Sequence, residues 1–165
     1  MPDTPWPVGS HVPDPLVQPQ YYEAVPLRRM AAYFVDVLIV GTVVVVVWVA
    51  TGLLTIMTFG LAAPIQAAAT AAVPLLYHSL LIGGPRSSTL GMRLFGLRVV
   101  NLIDESPRPS LVQALVMTVV FYVSVMVTGF VVLVVALFNP RRRTLHDWAS
   151  GTVVMRLPPD GGGWA

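Results

Sequence analysis

The chain has 165 residues, of which 55% are hydrophobic and 11% charged, and its formal net charge is +2. A soluble domain carries about 25% charged residues, so the composition excludes a soluble globule, a disordered chain and a collagen-like fibre, and predicts an integral membrane protein. Cysteine is absent, which excludes disulfides, thiolate metal sites and cysteine nucleophiles, and the net charge is too small to indicate a nucleic-acid partner.

Residues 1–26 form an N-terminal arm that contains seven prolines. Dense proline blocks helices and central strands, so we expect the arm to be extended or disordered. Its aromatic residues Trp6, Tyr21 and Tyr22 are candidates for contact with a membrane interface or a partner protein. The arm lacks the apolar core of a cleaved signal sequence, so we expect the first apolar helix to direct membrane insertion.

Two apolar stretches of membrane-spanning length follow the arm. A spanning helix needs about 20 mostly apolar residues, and residues 30–54 and 65–82 meet this requirement. The only charge in the first stretch is Asp36. We expect the turn between the two helices near Pro64, and the glycines and proline of residues 83–85 end the second helix.

A polar, basic segment and a C-terminal segment are each predicted to contain a short strand. Residues 97–103 and 152–157 have the β-branched, apolar composition of strands, and we expect them to pair as a small cytoplasmic β-ribbon. The alternation of Arg93, Leu94 and Phe95 indicates an amphipathic turn at the membrane interface. A short helix is expected around residues 144–149, ending at Gly151.

The third apolar stretch, residues 111–138, is 28 residues long and uncharged. As one helix it would be about 42 Å long, against about 30 Å for the hydrocarbon core, so it is one tilted helix or two pieces that meet near Gly129. Arginines concentrate on the cytoplasmic side, which places residues 28–29 there and favours an even number of crossings, because residues 141–143 are also arginines. The predicted fold is an all-α membrane protein, a bundle of three to four hydrophobic segments with the short ribbon.

Asp36 is the residue with the clearest chemical consequence. A carboxylate at membrane depth is costly, so it must face protein or water and be paired, hydrogen-bonded or protonated. It is a candidate proton relay or cation ligand, or else one half of a fixed ion pair. Arg29 shares its helical face about 10 Å away, with Tyr33 between them, but an arginine or His146 from another segment is better placed to reach it.

The sequence His146-Asp147 beside three arginines forms a second group of titratable residues. It is either a pH-responsive site near a cytoplasmic opening, or Asp147 pairs with an arginine or caps the next helical turn. No metal-ligand spacing, catalytic dyad or phosphate loop is present. We therefore predict no enzymatic activity, no metal and no cofactor.

Three ordered blocks of residues resemble the RDD family of bacterial membrane proteins. The blocks are Arg29-x-x-Ala32-Tyr33-x-x-Asp36, Thr89-x-Gly91-x-Arg93-x-x-Gly96-Leu97 and Arg143-Thr144-Leu145-His146-Asp147. The resemblance covers residues 27–155 and implies that the arginine and two aspartates that name the family are Arg29, Asp36 and Asp147. It also makes Tyr33, Arg93, Arg143 and His146 supporting residues, and Arg93 the replacement for a lysine that relatives commonly carry where this chain has Met92.

The resemblance implies a multi-pass protein of the bacterial inner membrane, and the arginines at residues 28–29 predict that its N-terminus is cytoplasmic. On this basis residues 1–26 are the arm, 27–157 the transmembrane domain and 158–165 a flexible tail. Three hypotheses stay open: transport of a cation, proton or small solute through Asp36; an accessory or assembly subunit of a larger membrane complex; and lipid-headgroup handling. The expected partners are the lipid bilayer and either further copies of the chain or other membrane subunits.

Overall fold

The computed structural model describes residues 16–103, 108–128 and 144–156. Within these ranges the chain is mostly helical, with one two-stranded sheet. The helices are α1 (Val25–Met57), α2 (Ala63–Ile82), α3 (Leu90–Leu94), α4 (Leu111–Thr128) and α5 (Leu145–Ser150), and the strands are β1 (Leu97–Asn101) and β2 (Thr152–Arg156). A 3-10 turn, Pro19–Tyr21, precedes α1.

Helices α1 and α2 are both long and apolar enough to cross a membrane, which confirms the two predicted spans. Helix α1 begins earlier than predicted because Pro26 lies in its first turn, where a missing N–H leaves no intrahelical bond unmade. Pro64 likewise lies in the first turn of α2. The reversal between the helices therefore falls on residues 58–62, just ahead of the proline.

Helix α4 is apolar and covers the first 18 residues of the third hydrophobic stretch. It packs against α2 and α5. The predicted hinge at Gly129, and with it the choice between one crossing and a hairpin over residues 111–138, lies outside the described residues. Within the described residues the structure therefore contains two candidate membrane-spanning helices, and a bundle of three to four segments stays a prediction.

The predicted ribbon is present as an antiparallel pair in which Val99 faces Val154 and Val100 faces Val153. Strand β1 ends two residues earlier than predicted. The side-chain oxygen of Asn101 accepts hydrogen bonds from the backbone N–H of Ile103 at 2.9 Å and from Gln113 Nε2 at 2.9 Å. These bonds turn the chain away from the sheet and tie the end of β1 to α4.

The hydrophobic core lies at one end of the bundle, where the ribbon meets three helices. One ribbon face contributes Leu97, Val99 and Val154, which pack with Val25, Ala32, Ile82, Ala114 and Met117 of the helices. The start of α1, the end of α2 and the start of α4 therefore lie together. We call this part of the molecule the ribbon end.

The opposite ribbon face is covered by the last part of the N-terminal arm. Tyr22 is buried with Val100, Val153 and Met155, and Tyr21 packs against this cluster. The expectation that Tyr22 faces a membrane or a partner is therefore wrong, because this side chain shields a ribbon that would otherwise expose valines to water. Tyr21 is partly exposed, and its contact with a membrane or a partner stays a prediction. The 3-10 turn also replaces the extended conformation expected there. Trp6 lies outside the described residues, and the division into arm, domain and tail stays a prediction.

Helix α5 confirms the short helix predicted ahead of Gly151. Gly151 has a φ of +65° and ends the helix in the left-handed conformation, which costs glycine least. A side chain at this position would also collide with Ile103. The turn delivers the chain directly into β2, so α5 is held close to the ribbon.

Candidate functional site

The buried side chains of α1 form one stripe along its first half. They are Val25, Arg29, Ala32, Asp36 and Val40. Their spacing of three or four residues places them on a single helical face. Two of these five residues carry a charge, so the helix turns its polar chemistry toward the protein and its remaining apolar surface outward.

Arg29 forms a buried, bidentate ion pair with Asp147 of α5. The Nη1–Oδ2 distance is 2.6 Å and the Nη2–Oδ1 distance is 2.9 Å. Arg29 is 8% exposed and Asp147 is 0% exposed, so water competes little for either group. Two parallel charge-assisted bonds fix both distance and orientation, and here they join segments 118 residues apart in sequence.

Asp147 also caps the helix that carries it. Its Oδ2 accepts hydrogen bonds from the backbone N–H of Thr144 at 2.9 Å and from the Thr144 hydroxyl at 2.8 Å. Burial alone would raise the pKa of this carboxyl, but the charges of Arg29 and His146 and the bonds that it accepts hold that pKa well below its usual range. Asp147 is therefore ionised at neutral pH, and it makes both contacts that the sequence suggested, pairing with an arginine and capping a turn.

His146 lies on the edge of the same ion pair. Its Nε2 is 3.3 Å from Arg29 Nη2, and since a guanidinium only donates, Nε2 is the acceptor. Burial and the positive charge of Arg29 together outweigh Asp147 and lower the pKa of His146 to about 4, so the ring is neutral at pH 7. The His146 and Phe121 rings form a T-shaped pair whose centroids are 5.0 Å apart. The expectation that His146 reaches Asp36 is wrong.

Asp36 binds a different segment, the loop and short helix that follow α2. Its Oδ2 accepts the Thr89 hydroxyl at 2.6 Å, and its Oδ1 accepts the backbone N–H of Gly91 at 2.8 Å and the Tyr77 hydroxyl at 2.7 Å. Asp36 is 3% exposed. These three donors are neutral, so hydrogen bonding rather than an ion pair with an arginine from another segment compensates the burial of this carboxylate.

Gly91 explains why α3 comes so close to α1. A Cβ at this position would collide with the backbone carbonyl oxygen of Ala32 and would lie 2.9 Å from Asp36 Cγ. A Cβ at Gly96, in contrast, would meet open space. Thr89, which donates to Asp36, also accepts from the N–H of Met92 and so caps α3.

The supporting residues Tyr33 and Arg93 each have a partner other than Asp36 or Asp147. The Tyr33 ring packs edge-on against Phe121 at 5.3 Å, between the two α1 charges. Arg93 Nε donates to the carbonyl oxygen of Ser88 at 3.2 Å and to its hydroxyl at 3.4 Å, which holds the guanidinium against the loop. Arg143 lies outside the described residues.

Two partners were not identified from sequence. Tyr77 is one hydroxyl in an apolar helix with no pattern to mark it. Thr144 precedes Asp147 by three residues, and this capping spacing was a usable signal. Among the residues that the structure describes, no three His or acidic side chains group as a metal site.

The two carboxylates therefore act as acceptors for donors from their own chain. The Arg29–Asp147 pair joins α1 to α5, and the Asp36 bonds join α1 to the segment around α3. We refer to these as the α5 anchor and the α3 anchor. Together they bring all three sequence blocks into contact at the ribbon end.

The three sequence blocks lie within a region that matches a known protein family. The model of the RDD family matches residues 24–151, which include every described residue of both anchors. Neither the curated proteins nor the solved structures gave a match. The family match confirms the resemblance inferred from the three blocks, over nearly the same part of the chain.

Proposed function

Because this chain belongs to the RDD family and its apolar helices fit an integral membrane protein, we propose that it is a non-catalytic subunit of a larger assembly in the bacterial inner membrane. In this role the arginine and two aspartates of the family stabilise a fold that presents its outer helical surfaces to lipid and to other subunits. The observation that supports this most strongly is the state of the two carboxylates.

Both carboxylates are engaged by donors of the same chain. Asp147 accepts four hydrogen bonds, two from Arg29 and two from Thr144. Asp36 accepts three, from Tyr77, Thr89 and Gly91. A carboxylate offers about four acceptor positions, so these bonds fill four at Asp147 and three at Asp36. Buried carboxylates that are held by several donors of their own chain suit a fixed structural role.

The outer surface suits assembly within a membrane. Large apolar side chains of α1 are exposed, including Val46, Trp48, Val49, Leu53 and Ile56. In a bilayer these side chains contact acyl chains or neighbouring helices at no hydrophobic cost. With the arginine-rich ribbon end in the cytoplasm, as the distribution of positive charge favours, the N-terminus is cytoplasmic as well.

The mass of the native particle tests this proposal. The protein is extracted from its own membrane in a mild detergent, and the chains that co-purify are identified by mass spectrometry. We expect migration with other membrane subunits at a fixed ratio. A particle that contains only this chain would contradict the accessory role.

Transport is the second candidate, and a row of polar aromatic groups near Asp36 favours it. The Tyr77 hydroxyl donates to Asp36, the rings of Tyr77 and His78 meet at 5.0 Å, and the Tyr122 hydroxyl is 3.4 Å from His78 Nδ1. In a homo-oligomer, each copy of this row would line a pathway along which a proton is transferred or a small cation passes. The titratable hydroxyls and the imidazole provide alternate donors and acceptors.

Proton or cation flux measured in vesicles tests whether the protein is a transporter. The variant Tyr122→Phe removes one hydroxyl of the row and leaves the three donors of Asp36 in place, and Asp36→Asn removes the carboxylate charge. Transport requires that both variants lower proton or cation flux relative to the wild type, with Glu23→Gln as an exposed carboxylate control. Equal flux in all four proteins would exclude Asp36 from any pathway.

A further inference from the structure

Arg93 and Arg28 each form a hydrogen bond next to one end of α3, and each keeps further N–H donors. Arg93 reaches back and donates through Nε to Ser88, ahead of the helix, and Arg28 Nη1 donates to the carbonyl oxygen of Phe95, just after it, at 3.1 Å. A guanidinium has five N–H donors, so each retains N–H groups whose direction is set by the bond already made. Within residues 16–103, 108–128 and 144–156, neither arginine forms a salt bridge.

Helix α3 exposes two leucines between these arginines. Leu90 is 41% exposed and Leu94 is 70% exposed, and a spacing of four places them on one face. Through Gly91 the helix lies against the first turns of α1, at Ala32 and Asp36. Exposed leucines beside guanidinium groups, at the start of a spanning helix, match the boundary between acyl chains and phosphates.

Among the described residues, exposed positive charge predominates around the ribbon end. The basic residues that are at least partly exposed are Arg28, Arg86, Arg93, Arg98, Arg108 and Arg156, whereas Asp36 and Asp147 are buried and Glu23 is the exposed acid of the described ranges. Basic residues near a membrane surface are attracted to anionic lipid headgroups. The surface is therefore complementary to a negatively charged leaflet.

We infer that α3, with Arg28 and Arg93, forms a binding site for the headgroup of an anionic phospholipid. The remaining N–H groups of Arg93 and Arg28 donate to the oxygens of one phosphodiester, in the bidentate geometry that guanidinium favours. Leu90 and Leu94 lie against the glycerol and the first methylenes of the acyl chains. The α3 anchor holds the site by fixing Gly91 and Thr89 to α1. This site is independent of whether the chain is an accessory subunit or a transporter.

Lipid retention measured by native mass spectrometry tests the inference. The full chain in detergent is titrated with phosphatidylglycerol or phosphatidylcholine of the same acyl chains, and bound lipid is counted. We expect the wild type to prefer phosphatidylglycerol by about tenfold, as two surface arginines allow. Arg93→Gln should remove most of this preference, and Arg28→Gln a similar part.

Matched variants separate a defined site from diffuse attraction. Arg108→Gln makes the same change of charge at an exposed arginine ahead of α4, and it should keep the preference. Leu94→Ser, at an exposed side chain, should weaken retention of both lipids without changing the monodispersity of the protein, which keeps the test valid if Arg93→Gln does not fold.

Three results would overturn the inference. The first is an unchanged preference in Arg93→Gln. The second is an equal loss in Arg108→Gln, which would mean attraction by net charge alone. The third is displacement of phosphatidylglycerol by millimolar inorganic phosphate, which would make the site one for a soluble anion.

Discussion

The two halves of α1 have opposite relations to the rest of the protein. From residue 25 to 40 the helix buries a stripe that includes Arg29 and Asp36, whose partners lie far away in sequence. From residue 41 to 57 its large apolar side chains are exposed, with Trp48 at 58% and Ile56 at 76%. The specific, directional contacts of the described chain therefore gather at the ribbon end, whereas the far half of α1 presents a surface that lipid or other helices complete.

Polar groups of the far half stay mostly within their own helix. The hydroxyls of Thr51 and Thr55 donate to carbonyl oxygens four residues earlier, at 2.7 and 3.0 Å. Gln66 of α2 crosses to α1, where its Nε2 donates to the Trp48 carbonyl at 3.2 Å. We therefore expect substitutions to matter much more at the ribbon end, and free energies of unfolding in mixed detergent micelles measure the difference.

Outside the Arg29–Asp147 pair, the largest effect is expected from Asp36→Ala. The change leaves the donors of Tyr77, Thr89 and Gly91 without their acceptor, and each buried unsatisfied group costs about 1–3 kcal/mol. We predict a loss of about 3–5 kcal/mol. The control Glu23→Ala removes an exposed carboxylate and should stay within about 0.5 kcal/mol of the wild type. Equal effects of both substitutions would contradict the α3 anchor.

Acid should weaken the α5 anchor in two stages. The pKa of His146 is lowered to about 4 in the folded chain, against about 6.5 in an unfolded chain, so the unfolded chain binds this proton more tightly. Stability should therefore fall by roughly 3 kcal/mol as the pH decreases from 6.5 to 4. The lowered pKa of Asp147 adds a further loss below about pH 4.

The variant His146→Gln isolates the first stage. Since it removes the group that titrates, the slope of stability between pH 6.5 and 4 should flatten, while the loss below pH 4 should persist. Denaturation midpoints measured at half-unit pH steps give both slopes. A slope between pH 6.5 and 4 that is unchanged in the variant would rule out His146 as its source.

The same substitution at two glycines compares the surroundings of the two halves of α1, because Gly91 of α3 packs against the first half and Gly41 lies at the start of the second. Gly91→Ala places a Cβ against the Ala32 carbonyl, and overpacking of this kind costs about 1–3 kcal/mol. Gly41→Ala meets open space, and in a helix it should be neutral or stabilise by up to about 1 kcal/mol. Opposite signs of the two effects, measured by thermal unfolding, are the expected result; two similar values would contradict the close approach of α3.

The smallest effect is expected at the far half. Gln66→Leu removes the bonds to Trp48 and Thr55, and hydrogen bonds between membrane helices are worth about 0.6 kcal/mol on average. We predict a loss below about 1 kcal/mol. A loss as large as that of Asp36→Ala would mean that the far half is as specifically packed as the ribbon end.

Sequence reasoning succeeded where a pattern is local or continuous. Spans α1 and α2 follow from runs of apolar residues, and the ribbon and α5 follow from β-branched composition and from Gly151. The sequence also marked Arg29, Asp36 and Asp147, because charge in an apolar context demands compensation.

The partners of those charges were harder to predict. The α3 anchor depends on a hydroxyl of α2 and a backbone N–H of α3, and only the packing of three segments brings these donors to Asp36. Helical spacing placed Arg29 and Asp36 on one face, yet each bonds to a different segment. Same-face geometry limits which residues face the protein interior, but it does not choose among the partners there.

We expect Arg29 and Asp147 to stabilise the fold as a pair, and a double-mutant cycle measures their coupling. Unfolding free energies are measured for the wild type, Arg29→Gln, Asp147→Asn and the double variant. Each single change leaves a buried partner unpaired and should cost about 3–5 kcal/mol, and the double variant should lose at least 2 kcal/mol less than the sum, within the range of directly coupled pairs. If the loss of the double variant equals the sum of the two single losses to within about 0.5 kcal/mol, the two residues act independently. That result would contradict the α5 anchor.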